Sequence, residues 1–349
     1  MKLSQKNKLG NTGLEVPPIV YGTSYLGNLY KDLSYEYKKE LVQGWFDCTE
    51  KPVVIDSAGK YGAGLALEMI GKILGDLNVD PSEIIISNKL GWYRVPLETE
   101  EPTFEPGVWQ GLKNDAVQRI NYQGIIDCWK QGNELLGGKY KADVVSVHDP
   151  DEYLLAAIDE DDREKRLKDI IEAYQALFEI KEKGGIKAIG IGSKDWKVIR
   201  ELYQHVKFDW VMIANSFTIM KHTIEFLSFI DQLYQDGVGV INSAVFQAGF
   251  LTGGEFFDYR KVDPDSEEGR FIYPWREKFN ILCTKHNVNP SEACIRFAMS
   301  HPAVAALALN TSKIATMHNN VKTMMAQIQE EFWAEMKQEG LIASDYQYV

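Results

Sequence analysis

The chain has 349 residues, which suits one large α/β domain or two ordinary ones. Its net charge of −12 disfavours nucleic acids and anionic membranes as partners, because each would be repelled. The four cysteines form no CxxC pair, the first residues lack the apolar core of a signal peptide, and no stretch has the length of a transmembrane helix. We therefore expect reduced thiols, no metal and a cytoplasmic protein.

Short apolar runs rich in β-branched residues recur along the chain. Continuous runs of this kind are typical of parallel strands that are buried on both faces. The predicted strands are Pro17–Gly22, Val53–Ser57, Ile84–Lys89, Asp143–Asp149, Ile186–Ser193, Trp210–Ser216, Gly237–Ala244 and Ala303–Ser312.

The segments between these strands have helical patterns. Arg166–Gly185 has apolar residues at helical spacing and ends on a glycine pair, Pro290–His301 opens with proline, and Thr316–Ile328 is similar. Strands alternating with helices predict a (β/α)8 TIM barrel that occupies 1–349 as a single domain. A doubly wound open sheet is the alternative, but no GxGxxG motif follows an early strand.

Two long segments are predicted to be loops. Val95–Gly111 is acidic and proline-rich, and Gly253–Pro274 is rich in glycine, charged and aromatic residues. Long loops in a compact domain are commonly functional lids, so each segment is either a lid or a solvated insertion.

Polar residues recur where the predicted strands end, and in a barrel this edge carries the active site. The residues are Asp56, Lys89, His148, Ser193, Asn215, Ser243 and Asn310. A single polar strand end is ordinary, because a strand commonly ends where it leaves the core. An Asp, a Lys and a His at three successive strand ends, with Tyr61 just after the first, predict a catalytic cluster.

The chemistry of this cluster suits carbonyl–alcohol redox reactions. A phenol titrates near pH ~10 and needs a nearby cation to exchange a proton closer to neutrality. Lys89 can supply that cation while Asp56 holds it, and His148 can hydrogen-bond to the reacting oxygen. Because no side chain supplies a hydride, a cofactor is required.

Segments along most of the chain resemble the aldo-keto reductase family. They are LGNTGLEV (9–16), IDSAGKYG (55–62), IIISNKLG (84–91), VVSVHDP (144–150), GIKAIGIGS (185–193), FQAGFLTGG (246–254) and LALNTSKIATMHNNV (307–321). Tyr61–Leu74 and Val147–Leu154 further resemble its sugar-dehydrogenase branch, of the D-threo-aldose or L-fucose 1-dehydrogenase type.

The resemblance implies a barrel with an N-terminal β-hairpin and an NAD(P)-dependent oxidoreductase acting on CH–OH and carbonyl groups. In that reading Tyr61 gives and takes the proton, Asp56 holds Lys89, and His148 orients an aldose or hemiacetal, whose oxidation gives a lactone. The cofactor-binding positions it implies are Gly22, Thr23, Ser193, Asn215, Ser243, Phe246, Gly249, Leu251, Asn310, Thr311, Ser312, Lys313, Thr316 and Asn320.

Several cofactor positions depart from the family pattern. Gly192 and Ser193 stand where the family has Ser-Asn, Asn215 stands where it has Gln, and Ser243 stands where many members stack a Tyr on the nicotinamide. In the loop after Tyr61, the pair 66–67 is Ala-Leu where the family has Ser-Glu. A serine hydroxyl satisfies only part of what an amide can, so these contacts are expected to differ from those of the family.

The cofactor preference is expected to favour NAD at least as much as NADP. Members that prefer NADP hold its 2′-phosphate with a Lys after the last strand and an Arg six positions on, and the matching residues here are Asn310 and Thr316. Lys313, between them, is the one nearby cation that complicates this expectation.

Four aromatic residues are candidates for a wall against a sugar ring: Tyr25, Trp92, Tyr93 and Trp109. Three alternatives to the sugar dehydrogenase remain open from the sequence. They are a general aldehyde or ketone reductase of the same family, a non-catalytic subunit that binds cofactor, and a glycoside hydrolase, which requires two facing carboxylates.

Overall fold

The computed structural model describes residues 2–349. Its strands, in chain order, are β1 (Asn7–Lys8), β2 (Glu15–Val16), β3 (Ile19–Gly22), β4 (Val53–Ala58), β5 (Ile84–Leu90), β6 (Trp92–Pro96), β7 (Asn114–Gln118), β8 (Val144–His148), β9 (Ala188–Ser193), β10 (Trp210–Ala214), β11 (Gly239–Ser243), β12 (Phe256–Phe257), β13 (Arg260–Lys261) and β14 (Val304–Leu309). Its helices are α1 (Tyr35–Cys48), α2 (Leu65–Asp76), α3 (Tyr122–Leu135), α4 (Pro150–Leu155), α5 (Glu160–Glu182), α6 (Trp196–Tyr203), α7 (Ile224–Gln235), α8 (Glu267–Lys285), α9 (Pro290–Ala298), α10 (Ile314–Met324) and α11 (Glu330–Gln338).

A closed parallel barrel forms the centre of the molecule. Its strands follow the order β3-β4-β5-β8-β9-β10-β11-β14, and β14 pairs back with β3. Each of the eight strands predicted from the sequence is one of these barrel strands, so the predicted (β/α)8 fold is confirmed. The apolar runs are buried because side chains fill the barrel on one face and helices cover the other.

The predicted N-terminal hairpin is also present, and it closes the end of the barrel where the strands begin. β1 and β2 pair antiparallel, and Leu9 and Val16 pack with Trp210 and other residues inside the barrel. The turn residue Gly10 has φ +53°, and a Cβ there would lie 2.4 Å from the Gly237 carbonyl oxygen. Only glycine permits this close approach.

The predicted helices are present with shifted ends. α5 begins at Glu160 rather than at Arg166, because the Asp159 side chain accepts a hydrogen bond from the backbone N–H of Asp162 and caps the helix there. α9 begins at Pro290 as predicted, and α10 spans Ile314–Met324.

The prediction of a loop over Gly253–Pro274 is wrong for much of its length. β12 and β13 form a short hairpin in this segment, and α8 begins at Glu267. The Ser266 side chain caps α8 by accepting from the backbone N–H of Gly269, and Pro274 lies inside the helix. A proline inside a helix removes one backbone hydrogen bond, and here the cap and the buried face of α8 outweigh that loss.

The prediction of a loop over Val95–Gly111 is nearly correct. β6 and β7 form an antiparallel hairpin that the sequence did not indicate, and residues 97–113 connect them. That either predicted loop closes over a ligand stays a prediction. None of the helices in residues 2–349 is both long enough and apolar enough to cross a membrane.

Candidate active site

The four predicted catalytic residues lie together at the carboxyl ends of neighbouring barrel strands. Asp56 is in β4, Lys89 is in β5, and His148 ends β8. The register pairs Ala58 with Lys89, which brings the ends of β4 and β5 level. Tyr61 lies in the turn that follows β4.

Asp56 and Lys89 form a buried ion pair. The Asp56 Oδ1 atom also accepts a hydrogen bond of 3.0 Å from the Ser87 hydroxyl, so both carboxylate oxygens are satisfied. Burial alone would lower the pKa of Lys89, but the charge and hydrogen bond of Asp56 together with Tyr61 outweigh burial and raise that pKa. Lys89 is therefore an ammonium ion, with its Nζ 4.9 Å from the centroid of the Tyr61 ring. A Cβ at Gly192 would lie 3.2 Å from Lys89 Cδ, so glycine leaves room for the lysine.

The turn that carries Tyr61 packs against the turn after β3. Gly62 has φ +62°, and a Cβ there would lie 2.3 Å from the Gly27 carbonyl oxygen. A Cβ at Gly27 would likewise lie 2.7 Å from the backbone carbonyl of Tyr61. These glycines allow the two backbones to touch, and the contact fixes the position of Tyr61 over the barrel.

Tyr61 and His148 are both neutral at neutral pH. Burial raises the pKa of Tyr61, and the charge of Lys89 opposes that rise. Burial, reinforced by the charges of Lys89 and Lys60, holds the pKa of His148 well below its usual value. The two rings meet edge to face with centroids 5.8 Å apart. A phenol, a neutral imidazole and an ammonium group thus lie close enough to act on one substrate oxygen.

A second charged cluster beside His148 was not predicted. Lys60, directly before Tyr61, is paired with acids from the loop after β6 and from the segment after β8. Lys194, after β9, is paired with Glu152, and the Asp151 carboxylate accepts backbone N–H bonds from Lys194 and Asp195. The sequence signals were the three acids of the His148 segment and a lysine next to the tyrosine, but their pairing depends on how the loops after β4, β6, β8 and β9 converge.

The predicted cofactor residues lie mainly on four adjacent strands, β10, β11, β14 and β3, and on the turns that follow them. Asn215, just after β10, has φ +57°, and its backbone N–H donates to the Ser243 carbonyl at 3.3 Å. The Asn215 Oδ1 atom is buried and has no partner within the protein. An unpartnered buried amide oxygen is suited to accept a hydrogen bond from a carboxamide, which is the functional group of nicotinamide.

The carboxyl ends of β10, β11, β14 and β3 are here called the groove. Within it, the ends of β14 and β3 lie on the other side of β11 from Asn215. The Asn310 Nδ2 group donates to the Ser24 hydroxyl at 2.5 Å, and the Thr23 hydroxyl donates to the Asp56 carbonyl at 2.9 Å. A Cβ at Gly22 would lie 2.9 Å from Asn310 Cβ, so glycine is needed where the two strand ends approach. Thr23 therefore connects the predicted cofactor residues to the strand that carries Asp56.

The remaining predicted cofactor residues lie at the end of β9, in the turn after β11, and just before or within α10. No side chain caps the first turn of α10, so its backbone N–H groups are available to an anion. Ser193 is bonded locally to Asp195, and Leu251 is fully buried in the core, so the Leu251 side chain does not reach the groove. The other positions lie in the turn after β11, around the start of α10 or, for Asn320, in the middle of α10: Phe246, Gly249, Thr311, Ser312, Lys313, Thr316 and Asn320.

Two of the four predicted substrate aromatics lie beside Tyr61. Trp92 and Trp109 share an apolar cluster with Tyr61 and with Phe104, which the sequence reading missed. Tyr93 instead packs on the main core beneath the Arg119 guanidinium.

Tyr25, the fourth candidate, lies beside Ser312 on the cofactor side of the groove. The aromatic wall near Tyr61 therefore consists of Trp92, Phe104 and Trp109, and the other two tyrosines lie elsewhere.

Comparison with known proteins identifies the family of the chain. The sequence profile of the Aldo/keto reductase family matches residues 18–339. The chain is 26% identical to a pyridoxal 4-dehydrogenase of Microbacterium luteolum, over 98% of this chain and 99% of that protein. It is 24% identical to a D-threo-aldose 1-dehydrogenase of a Pseudomonas species, over 95% and 96%. The holo form of an aldo-keto reductase from Bacillus halodurans superposes with a TM-score of 0.68 at 19% identity and covers 98% of both chains.

Proposed function

Because the chain belongs to the aldo/keto reductase family, we propose that it oxidises the anomeric carbon of a neutral aldose to a lactone with a nicotinamide dinucleotide. Membership makes it an NAD(P)-dependent oxidoreductase of CH–OH and carbonyl groups. The observation that carries the proposal is Tyr61, Lys89 and His148 lying beside the aromatic wall of Trp92, Phe104 and Trp109.

Each catalytic side chain has a separate task in this proposal. The Tyr61 phenolate takes the proton of the anomeric hydroxyl, the O–H bond breaks, and the carbonyl bond forms at the same carbon. Lys89 stabilises the phenolate, and His148 donates a hydrogen bond that orients the sugar oxygen. A nicotinamide held near Asn215 would supply the hydride acceptor that this oxidation requires. In the reverse direction the neutral phenol of Tyr61 returns the proton.

The residues around β10, β14 and β3 fit the dinucleotide. Asn215 offers its unpartnered amide oxygen to the carboxamide, and the uncapped start of α10 offers backbone N–H groups to a phosphate. The same site chemistry disfavours a glycoside hydrolase, because Asp56 is committed to Lys89 and Ser87.

A second candidate substrate is pyridoxal. The relative named pyridoxal 4-dehydrogenase covers nearly the whole chain, and the aromatic wall suits a planar ring as well as a sugar face. The experiment that separates the candidates follows absorbance at the reduced-nicotinamide band with NAD and NADP. It uses free aldoses, pyridoxal and simple aldehydes or ketones, in both directions.

The outcomes of that experiment are distinct. Oxidation of one or more aldoses with formation of a lactone supports the proposal. Turnover of pyridoxal alone selects the second candidate, and reduction of simple carbonyls without aldose oxidation indicates a general reductase. Tight cofactor binding with no turnover across the panel would indicate a non-catalytic subunit.

Neutral sugars are expected to react better than anionic ones. Four carboxylates and two ammonium groups lie beside His148. They belong to Glu105, Asp149, Asp151 and Glu152, and to Lys60 and Lys194. Both lysines are already paired with these acids, and the excess negative charge repels an anionic substrate.

We expect kcat/KM for a neutral aldose to exceed that for the matching uronate by about tenfold at low salt. The ratio of the two kcat/KM values should fall as salt screens the charges, and it should also fall in Glu152→Gln. A uronate used as well as the neutral sugar at low salt would contradict this expectation.

NAD is expected to serve at least as well as NADP. Asn310 and Thr316 hydrogen-bond but cannot neutralise a phosphate dianion, and the Asn310 amide already donates to Ser24. Each missing charge-assisted contact costs roughly 1.5–3 kcal/mol, which is about ten- to a hundredfold in affinity. The measurement is kcat/KM for the two cofactors with one good sugar.

Replacing Lys313 tests the cause of any preference for NADP. It is exposed and directly precedes α10, so it is the cation closest to where a 2′-phosphate would lie by resemblance. A tenfold or greater preference for NADP would refute the expectation. Loss of that preference in Lys313→Ala, but not in Lys322→Ala at the other end of α10, would identify the cause.

A further inference from the structure

Lys60 is a buried cation next to the proposed catalytic tyrosine. Its Nζ lies 2.8 Å from Glu105 Oε1, 3.5 Å from Glu152 Oε2 and 3.6 Å from Asp149 Oδ2. Only 5% of the residue is exposed. An ammonium group is retained at such a site only when partners offset its lost hydration, and here the partners come from two other loops.

Glu105 connects this cation to the aromatic wall. One of its carboxylate oxygens pairs with Lys60, and the other accepts a hydrogen bond of 2.7 Å from Trp109 Nε1. The Trp109 ring lies 5.9 Å from the Tyr61 ring, centroid to centroid, and 6.4 Å from that of Phe104. The loop of residues 97–113 is therefore tied at Glu105 to the residue preceding Tyr61.

The rest of this loop is attached to the turn after β3 on both sides of Trp109, and the Asn28 Nδ2 group donates to the Gln110 carbonyl at 2.9 Å. Val108 accepts a backbone hydrogen bond from Tyr30 and Gln110 donates one to Asn28, and both partners lie in the turn after β3. Thr103, directly before the wall residue Phe104, is bonded to the Asp115 carboxylate. The Lys60–Glu105–Trp109 series, here called the clasp, is the connection that joins the loop to the segment carrying Tyr61.

We infer that Lys60 is a positioning residue that, through Glu105, holds Trp109 against Tyr61 and so sets the fit of the substrate ring. The inference rests on the proposed function for its effect on substrate. Its structural part, the fastening of residues 97–113, does not depend on the reaction. Lys60 does not touch the reacting atoms, so its loss acts mainly on substrate binding.

The test replaces each half of the clasp in the full-length protein. Lys60→Met removes the charge and keeps the length, and Glu105→Gln removes the charge but keeps an oxygen for Trp109. Glu105→Ala removes both contacts. Lys187→Met is the matched control, because it removes an ion pair of the same 2.8 Å length at the opposite end of the barrel.

The first readout is hydrogen exchange of peptides from residues 97–113, without substrate or cofactor. We expect exchange to be faster in Lys60→Met and Glu105→Gln, fastest in Glu105→Ala, and unchanged in Lys187→Met. The double variant Lys60→Met/Glu105→Gln should exchange no faster than the quicker of its two parents, since both break one connection. Unchanged exchange in the folded Glu105 variants would overturn the inference, and Glu105→Gln decides it if Lys60→Met fails to fold.

The second readout separates positioning from general destabilisation. With a good substrate, KM should rise about tenfold in Lys60→Met, the loss expected for one charge-assisted contact, while kcat stays within about threefold. An equal loss in both constants, or a KM that does not change, would contradict the positioning role. Faster exchange in the clasp variants, with no sugar activity in the parent protein or in any variant, would support the clasp and overturn the proposed substrate.

Discussion

Replacing Tyr61 with Phe is expected to lower kcat by about 10²–10⁴-fold, the usual contribution of a general acid–base group. The substitution removes only the hydroxyl and keeps the ring that packs on Trp109 and His148. Tyr25 and Tyr93 are not placed to substitute for it, since they lie in other surroundings. Binding of the dinucleotide should persist, because Tyr61 lies on the substrate side of the groove.

The measurement combines steady-state turnover with cofactor titration of the same preparation. Tyr30→Phe is a suitable control, because it removes an exposed phenol from the neighbouring turn and leaves the cluster intact. The assignment fails if Tyr61→Phe keeps activity within threefold of the parent. Loss of cofactor binding along with activity would indicate misfolding of the turn, which Gly27 and Gly62 hold in close contact.

The barrel strands and the grouping of the candidate catalytic residues could be predicted because their signals are local. A strand that is buried on both faces must be a continuous apolar run, so Val53–Ser57 and Trp210–Ser216 were recognisable without partners. Parallel strands place their carboxyl ends at one edge, and this made the grouping of Asp56, Lys89 and His148 predictable.

The clasp and the elements outside the barrel could not be predicted, because they depend on contacts between distant segments. Lys60 and Glu105 are separated by a helix, a strand and half of a hairpin, and nothing in either segment specifies that they meet. The predicted loop extends to Pro274, although the Ser266 cap starts α8 before it. The β6–β7 hairpin was missed because its strands are separated by a long connection without a tight turn.

Replacing Lys89 with Met is expected to have two effects of different origin. The first is on stability, because the substitution leaves Asp56 buried with only the Ser87 hydroxyl as a side-chain partner. Breaking a buried ion pair from one side costs about 3–5 kcal/mol. A lower denaturation midpoint, with Lys194→Met much closer to the parent, would be consistent with this, since Lys194 is more exposed and its partner Glu152 also lies near Lys60.

The second effect is on the pH dependence of oxidation, and its sign follows from the charges on Tyr61. Burial raises the pKa of Tyr61, and the positive charge of Lys89 lowers it. Removing that charge must raise the pKa further, so the phenolate that accepts the proton forms at higher pH. An opposite charge at this range shifts a pKa by about 1–3 units, and the acid limb of the kcat profile for oxidation should move up by a similar amount. Lys194→Met removes a cation that does not contact Tyr61 and should leave the limb in place. An unshifted limb in a folded, still active Lys89→Met would show that Lys89 does not tune the tyrosine, whatever its contribution to stability.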